Sequence, residues 1–380
     1  MKKSLLFFYS NPHSGHRVAA DAVRAAFREN YPAEIETFGI DAFTHGFPFL
    51  APLIAKTYFK IVKNLPSLWD FLWDNREVEQ TTRPLRELLS AMTITKLEKL
   101  FIQYQPSGLV CTHALPCNIL AWGKRKNLFD LPLIAVITDF AVHPYWLDEM
   151  VDLYVVPTEE VKEAMTSKEI VTSNGKRKYF IKEKKVKVCG IPIDLRFSLR
   201  KDGRKAKENL HLNSNPPVIL IMGGTNGLGI EKVVSSCYAN LEAQILVIAG
   251  MNKKTYQEMK RSFPENGRIR ILEYTRRVPE MMDCADILIT KPGGLTSAEA
   301  LVKGLPMIIF NPLPGQEERN TDYLVSQGVA KRVNNPEQLI KIIKYLFSHP
   351  LVLKRMKRLA CGLSSPGAAR ETARMIYELI

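Results

Sequence analysis

The chain has 380 residues, of which 46% are hydrophobic and 24% charged, the make-up of an ordinary globular protein. That length sets a prior of two domains, three at most, each able to bury its own core. The net charge of +14 suits an anionic partner such as a nucleotide, a nucleic acid or an anionic membrane. Six scattered cysteines without a C-x-x-C pair argue against a zinc site and read as reduced core residues of an intracellular protein. No apolar stretch reaches the roughly 18 residues needed to span a bilayer, so any membrane contact is expected to be peripheral.

The start "MKKSLLFFYS" reads as a buried strand. Its apolar run, Leu5 to Tyr9, is too short for a signal peptide, and no small-residue cleavage site follows. The next segment, "SNPHSGHRVAADAV", opens a helix at the place where α/β sheets carry ligand loops. His13 and His16 flank Gly15 there. His16 is either a general base near neutral pH or a hydrogen-bonded capping histidine. After the strand "EIETFGI", the stretch Phe43 to Trp73 is rich in aromatic residues, with Lys56, Lys60 and Lys63 interleaved. It reads as an interfacial segment or as a helical hairpin packed on the core.

Strands "GLVCTH", "LPLIAVIT", "LYVVPT" and "KVKVCGIP" follow. "VITDFAVHPYW" places Asp139 and His143 at the end of one of them. Asp139 can orient His16, act as the base itself, or cap the next segment. Hydrophobic density then falls between Arg196 and Asn215. Strands resume with "PVILIMGG", "QILVIAG", "IRILEYT", "DILITKP" and "MIIFNP". Continuous apolar runs of this kind, alternating with helical patterns, predict α/β architecture with parallel sheets buried on both faces.

Two glycine-rich turns mark the second half. "MGGTNGLG" holds Gly223, Gly224, Thr225 and Asn226, and lets backbone amides approach a phosphate beside a helix N-terminus. "ITKPGGLTSAEALVKGLPMIIFNPLPGQEERN" runs strand, turn, helix, strand. Thr296 and Glu299 have capping-box spacing. Alternatively, Glu299 accepts hydrogen bonds from two ribose hydroxyls. Lys291 and the loop amides can meet a diphosphate, and Gln316, Glu317 and Asn320 can read sugar hydroxyls. The final stretch, "SSPGAARETARMIYELI", is a helix with Ala373, Met375, Ile376, Leu379 and Ile380 at apolar spacing. Three basic runs, starting at Gly175, Leu199 and Leu353, together favour a membrane or polyanion surface. No RNP, helix-turn-helix or zinc-finger pattern supports nucleic acid.

Taken in order, these motifs resemble the glycosyltransferase family of bacterial processive diacylglycerol glucosyltransferases and plant monogalactosyldiacylglycerol synthases. The enzyme that adds N-acetylglucosamine to lipid I is similar at a greater distance. "LITKPGGLTSAEALVKGLPMIIFNPLPGQEERN" carries the most specific likeness, and "VITDFAVHPYW", "DLYVVPTEEVKEAM" and "CGIPI" extend it. The family's first loop is usually richer in glycine than the "NPHSGH" found here.

The resemblance implies a GT-B fold of two Rossmann-like, doubly wound domains facing a central cleft. It implies a lipid-acceptor domain over 1–198, a UDP-sugar domain over 199–365, and a helix over 366–380 returning to the first domain. It implies His16 as catalytic base, Gly293, Gly294, Leu295 and Thr296 at the diphosphate, and Glu299 at the ribose. Gln316 then touches the donor sugar, and the backbone near Val278 meets uracil. The expected reaction is inverting, needs no metal or cofactor, and moves a hexose from a UDP-hexose to diacylglycerol at an anionic membrane, on its cytoplasmic face. A different lipid or polyprenyl acceptor, another UDP-sugar, and a non-catalytic UDP-sugar-binding regulator stay open.

Overall fold

The computed structural model describes residues 2–11, 13–42, 83–166, 170–172, 175–177, 181–199, 202–224, 229–263 and 267–380. Thr225, Asn226 and the aromatic stretch Phe43 to Trp73, with Lys56, Lys60 and Lys63, lie outside them. The chain divides into two compact units. The first comprises Met1–Leu195, Leu313–Gln316 and Gly367–Ile380, the second Arg196–Pro312 and Glu317–Pro366.

In the first unit, the strands are β1 (Lys3–Tyr9), β2 (Ile35–Asp41), β3 (Gly108–Cys111), β4 (Leu133–Val136), β5 (Leu153–Val156), β6 (Ile170–Thr172), β7 (Gly175–Arg177) and β8 (Val186–Val188). Six of them form one sheet in the order β2-β1-β3-β4-β5-β8, with every pairing parallel. β6 and β7 pair antiparallel in a separate ribbon whose second strand opens the first basic run.

The unbroken apolar run of β1 has a simple cause. Side chains alternate between two faces, and both faces are covered. Leu5, Phe7 and Tyr9 join Ala20, Val23 and Phe27 of the Gly15–Asn30 helix, together with Ala369, Ala373 and Ile376 of the Ala368–Leu379 helix. Leu6 and Phe8 point into the opposite core. On the Ala368–Leu379 helix Leu379 stays 40% exposed, contrary to the apolar spacing, while Ala369 is buried. Tyr31 and Tyr377 stack with ring centroids 4.2 Å apart, and Arg370 pairs with Glu29.

The second unit holds β9 (Val218–Met222), β10 (Gln244–Ile248), β11 (Ile269–Leu272), β12 (Ile287–Thr290), β13 (Met307–Phe310) and β14 (Ala330–Val333). They form a sheet in the order β11-β10-β9-β12-β13-β14, again all parallel. In both units the strand order reverses beside the first strand. The loops after β1 and β3, and those after β9 and β12, therefore flank a topological switch point, where open α/β sheets bind ligands.

A buried ion pair braces the second unit. Lys303, at the end of the Gly294–Lys303 helix, lies 2.8 and 2.9 Å from the two carboxylate oxygens of Asp283. These side chains are 0% and 5% exposed. Lys303 also donates to the carbonyl of Leu199. Among the described residues, no helix is long and apolar enough to cross a membrane. None of the six cysteines forms a disulfide; four are buried, and Cys189 and Cys361 are half-buried.

Candidate active site

In the first unit the site is built from three strand ends. After β1, Asn11 takes a left-handed φ of 67°, a conformation asparagine tolerates better than most residues. Ser14 then caps the Gly15–Asn30 helix by accepting from the Arg17 amide, and its hydroxyl donates back to Ser10. Gly15 and His16 thus open that helix. His16 Nδ1 lies 2.8 Å from the carbonyl oxygen of Thr112, after β3, and 2.9 Å from Thr138 Oγ1, after β4. The Thr112 hydroxyl in turn donates to the His16 carbonyl.

A carbonyl can only accept, so Nδ1 must carry the proton. Nε2 is then the lone-pair nitrogen. Burial lowers the His16 pKa to about 4, opposed by the Thr112 hydrogen bond, so the ring is neutral at physiological pH. His113 stands edge-on to it, with centroids 4.7 Å apart. The His113 Nδ1 accepts from the Leu115 amide and caps the Ala114–Arg125 helix. Burial, and then the neighbouring His16, push the His113 pKa well down.

Thr112 and Thr138 hold the His16 Nδ1. Asp139 is buried, and it accepts a hydrogen bond from Gln316, whose segment clusters with the first unit. His143 is buried too. Its Nδ1 accepts from the Tyr145 amide and caps the short turn Pro144–Trp146.

In the second unit, Gly223 and Gly224 follow β9, with Gly224 at a φ of 68°. Lys291, Gly293 and Gly294 follow β12. The Thr290 hydroxyl ties the two strand ends together at 3.2 Å from the Met222 carbonyl. Gly293 donates back to Lys291, closing a tight turn. A methyl group added at Gly293 would meet nothing within 4 Å, so packing does not require a glycine there.

The Gly294–Lys303 helix has Gly293 as its N-cap and no side-chain cap. The capping box expected from Thr296 and Glu299 is therefore not formed. Thr296 lies inside the first turn, and Glu299 one turn further on, 7% exposed. Amides of Gly294, Leu295 and Thr296 open an uncapped helix N-terminus, where the helix dipole favours an anion.

Asn320 braces the glycine turn. It is 0% exposed and donates to the Pro292 carbonyl at 3.0 Å, holding the glycine turn. Glu317 lies in the first turn of the Gln316–Ser326 helix, and Val278 opens the Val278–Cys284 helix. Among the described residues, no cluster of three His, Cys, Asp or Glu is placed to hold a metal ion.

Two doubly wound parallel sheets, each with ligand loops at its switch point, define the GT-B class of glycosyltransferase folds. Solved structures share that fold over the full chain. Acinetobacter baumannii MurG matches at a TM-score of 0.60 with 14% identity, covering 100% of both chains. Anabaena Alr3699/HepE, solved with UDP and glucose, matches at 0.54 with 13% identity over 99% of both. The description "Monogalactosyldiacylglycerol (MGDG) synthase" fits residues 16–193, and "Glycosyltransferase family 28 C-terminal domain" fits residues 218–372.

The chain belongs to this family of diacylglycerol glycosyltransferases. A processive diacylglycerol beta-glucosyltransferase of Bacillus licheniformis is 30% identical over 268 residues, 69% of this chain and 66% of that relative. The Staphylococcus carnosus protein of the same name is 26% identical over 93% of this chain and 87% of its own length. Spinacia oleracea chloroplastic monogalactosyldiacylglycerol synthase is 27% identical over 91% of this chain and 66% of its own. The chain thus spans just under two thirds of the Bacillus and spinach relatives.

Proposed function

We propose that this protein transfers a hexose, glucose or galactose, from a UDP-hexose to the free hydroxyl of diacylglycerol at an anionic membrane surface, with inversion and without a metal ion. The observation that carries this reading is the tautomer of His16. Its Nδ1 proton is committed to the Thr112 carbonyl, so Nε2 is a base of fixed orientation. The acceptor hydroxyl gives its proton to Nε2. The freed oxygen bonds to the anomeric carbon, and the bond from that carbon to UDP breaks on the opposite face. A general base of this kind contributes about 10²–10⁴-fold.

The second unit receives the nucleotide. Amides around Gly224 and from Gly293 to Thr296, with Lys291, balance the charge that grows on the leaving diphosphate. Glu299 takes the ribose hydroxyls, and the backbone at Val278 takes uracil. Gln316 and Glu317 contact the donor sugar. Asp139, bonded to Gln316, positions that contact. His143, Gly15, Thr225 and Asn226 complete the binding set.

The names carried by the relatives favour lipid as acceptor; the cytoplasmic face is part of the proposal. The test is UDP release by the purified protein with diacylglycerol vesicles and a panel of UDP-sugars, with mass and linkage analysis of the product. A β-linked hexosyl-diacylglycerol that still forms in EDTA is expected. Absence of any calorimetric heat with UDP or UDP-hexose refutes the reading.

A further inference from the structure

The second unit also carries a charged surface outside the residues of the candidate site. From Gln338 to Pro366 the sequence holds six Lys or Arg and no Asp or Glu. This stretch folds as two helices, Pro336–Ser348 and Pro350–Leu363, joined at His349. Each buries one side: Leu339, Ile343 and Leu346 on the first, Met356 and Ala360 on the second.

The outward sides carry the charge. Lys341 and Lys344 are exposed on the first helix, and Lys354, Arg355 and Arg358 on the second. Lys357 alone of the six is paired, with Asp286. The other five cations have no acidic partner among the described residues.

Large apolar groups sit among these cations. Leu351 is 80% exposed in the first turn of the second helix, and Leu359 is 36% exposed on the same side. Spacings of three and four residues put Leu351, Lys354, Arg355, Arg358 and Leu359 on one helical face. Tyr345 is 47% exposed at the end of the first helix and stacks on His349 at 4.2 Å. Unpaired cations alone suit any polyanion. Leu351 decides among them: an exposed leucine gains nothing from a polyphosphate in water, whereas a bilayer lets it enter the acyl boundary while the ammonium and guanidinium groups meet lipid phosphates.

We infer that the exposed face of these two helices docks the protein on an anionic lipid surface, with Leu351 and Tyr345 entering the interface. This deepens the proposed function by giving the second unit its own lipid contact, and it rests on that reading only for the presence of a membrane.

The test is co-sedimentation of the full chain with phosphatidylcholine vesicles made with or without phosphatidylglycerol. The wild type is expected to bind the anionic vesicles and to weaken as salt screens the charges. Each cation near such a surface adds about fivefold, so Lys354→Gln/Arg355→Gln/Arg358→Gln should weaken binding on the order of 100-fold. Leu351→Ser should remove the binding that survives high salt.

Lys232→Gln/Lys253→Gln/Lys331→Gln alters exposed lysines elsewhere on the same unit and controls for net charge. Equal weakening in the two triple variants overturns the proposal, as does failure of the wild type to bind anionic vesicles or preferential binding of RNA at the same salt. Transfer to detergent-dispersed diacylglycerol should be unchanged in the first triple variant. If the wild type shows no transfer while vesicle binding follows this pattern, the docking face stands and the transferase reading falls.

Discussion

His16 and Thr112 hold each other twice. The imidazole Nδ1 donates to the Thr112 carbonyl at 2.8 Å, and the Thr112 hydroxyl donates to the His16 carbonyl at 2.8 Å. The second bond fixes the backbone beneath the ring, and turning the ring itself breaks the Nδ1 contacts to Thr112 and Thr138.

This clasp gives a pH signature. The neutral ring is the base, and burial lowers its pKa to about 4. Turnover should hold as pH drops through the usual histidine range near 6.5 and fall only towards about 4. His16→Ala should cut kcat by about 10²–10⁴-fold, abolish that acid limb and leave UDP affinity unchanged. A limb near 6.5 in the wild type, or lost UDP affinity in the variant, contradicts the assignment.

The same shift links pH to folding. The unfolded chain takes up a proton on His16 near pH 6.5, while the folded chain resists it to about 4. Stability is complete above the unfolded pKa and is lost as pH falls between those values, by up to about 3 kcal/mol. Urea melts across this window should show the loss, and His16→Asn should reduce it, with the buried His113 supplying the remainder.

Gly293 separates binding from folding. Its φ of −62° suits any residue, and the space beside it is open. Gly293→Ala should change stability by less than about 1 kcal/mol yet place a methyl group against the diphosphate. Calorimetry with UDP should show at least tenfold weaker binding, with an unchanged melting temperature. Unchanged affinity would move the diphosphate elsewhere.

Glu299 is 7% exposed and lies inside a helix whose N-cap is Gly293. Glu299→Ala should weaken UDP by about 1.5–3 kcal/mol, the usual scale of a hydrogen bond to a charged group. UMP and UDP should be affected alike, because the ribose is common to both. Equal affinity in variant and wild type would leave Glu299 a structural residue.

Lys303 and Asp283 test the brace. Lys303→Ala strands a carboxylate that is 5% exposed, at a cost of about 3–5 kcal/mol. The double variant Lys303→Met/Asp283→Leu should recover much of that loss in thermal melts, because no buried charge is left behind.

Much of this was readable beforehand. Eleven strands stand out in the sequence because runs such as Leu5–Phe8 and Val218–Ile221 are apolar without interruption, as strands covered on both faces must be. β14 was missed because Lys331 and Arg332 sit at its centre, exposed at the sheet edge. β7 lies in a basic run with no apolar pattern, and β6 is only three residues long, Ile170–Thr172.

His16 and the glycine turns were visible by residue type and place. Thr112, Thr138 and His113 were not, because sheet order, absent from any local window, brings the ends of β1, β3 and β4 together. The burial of Asn320 leaves no trace in its polarity. The spacing of Thr296 and Glu299 fits a capping box only if the helix begins at Thr296. It begins at Gly294.

The Ala368–Leu379 helix completes the core that begins with Leu5 and Phe7. A ribosome reaches it only after making every residue of the second unit, from Arg196 to Pro366. At about 5–20 residues per second, the nascent first unit waits on the order of ten seconds or longer with the groove for Ala373 and Ile376 unfilled. Chaperone demand during translation should therefore concentrate on the half made first.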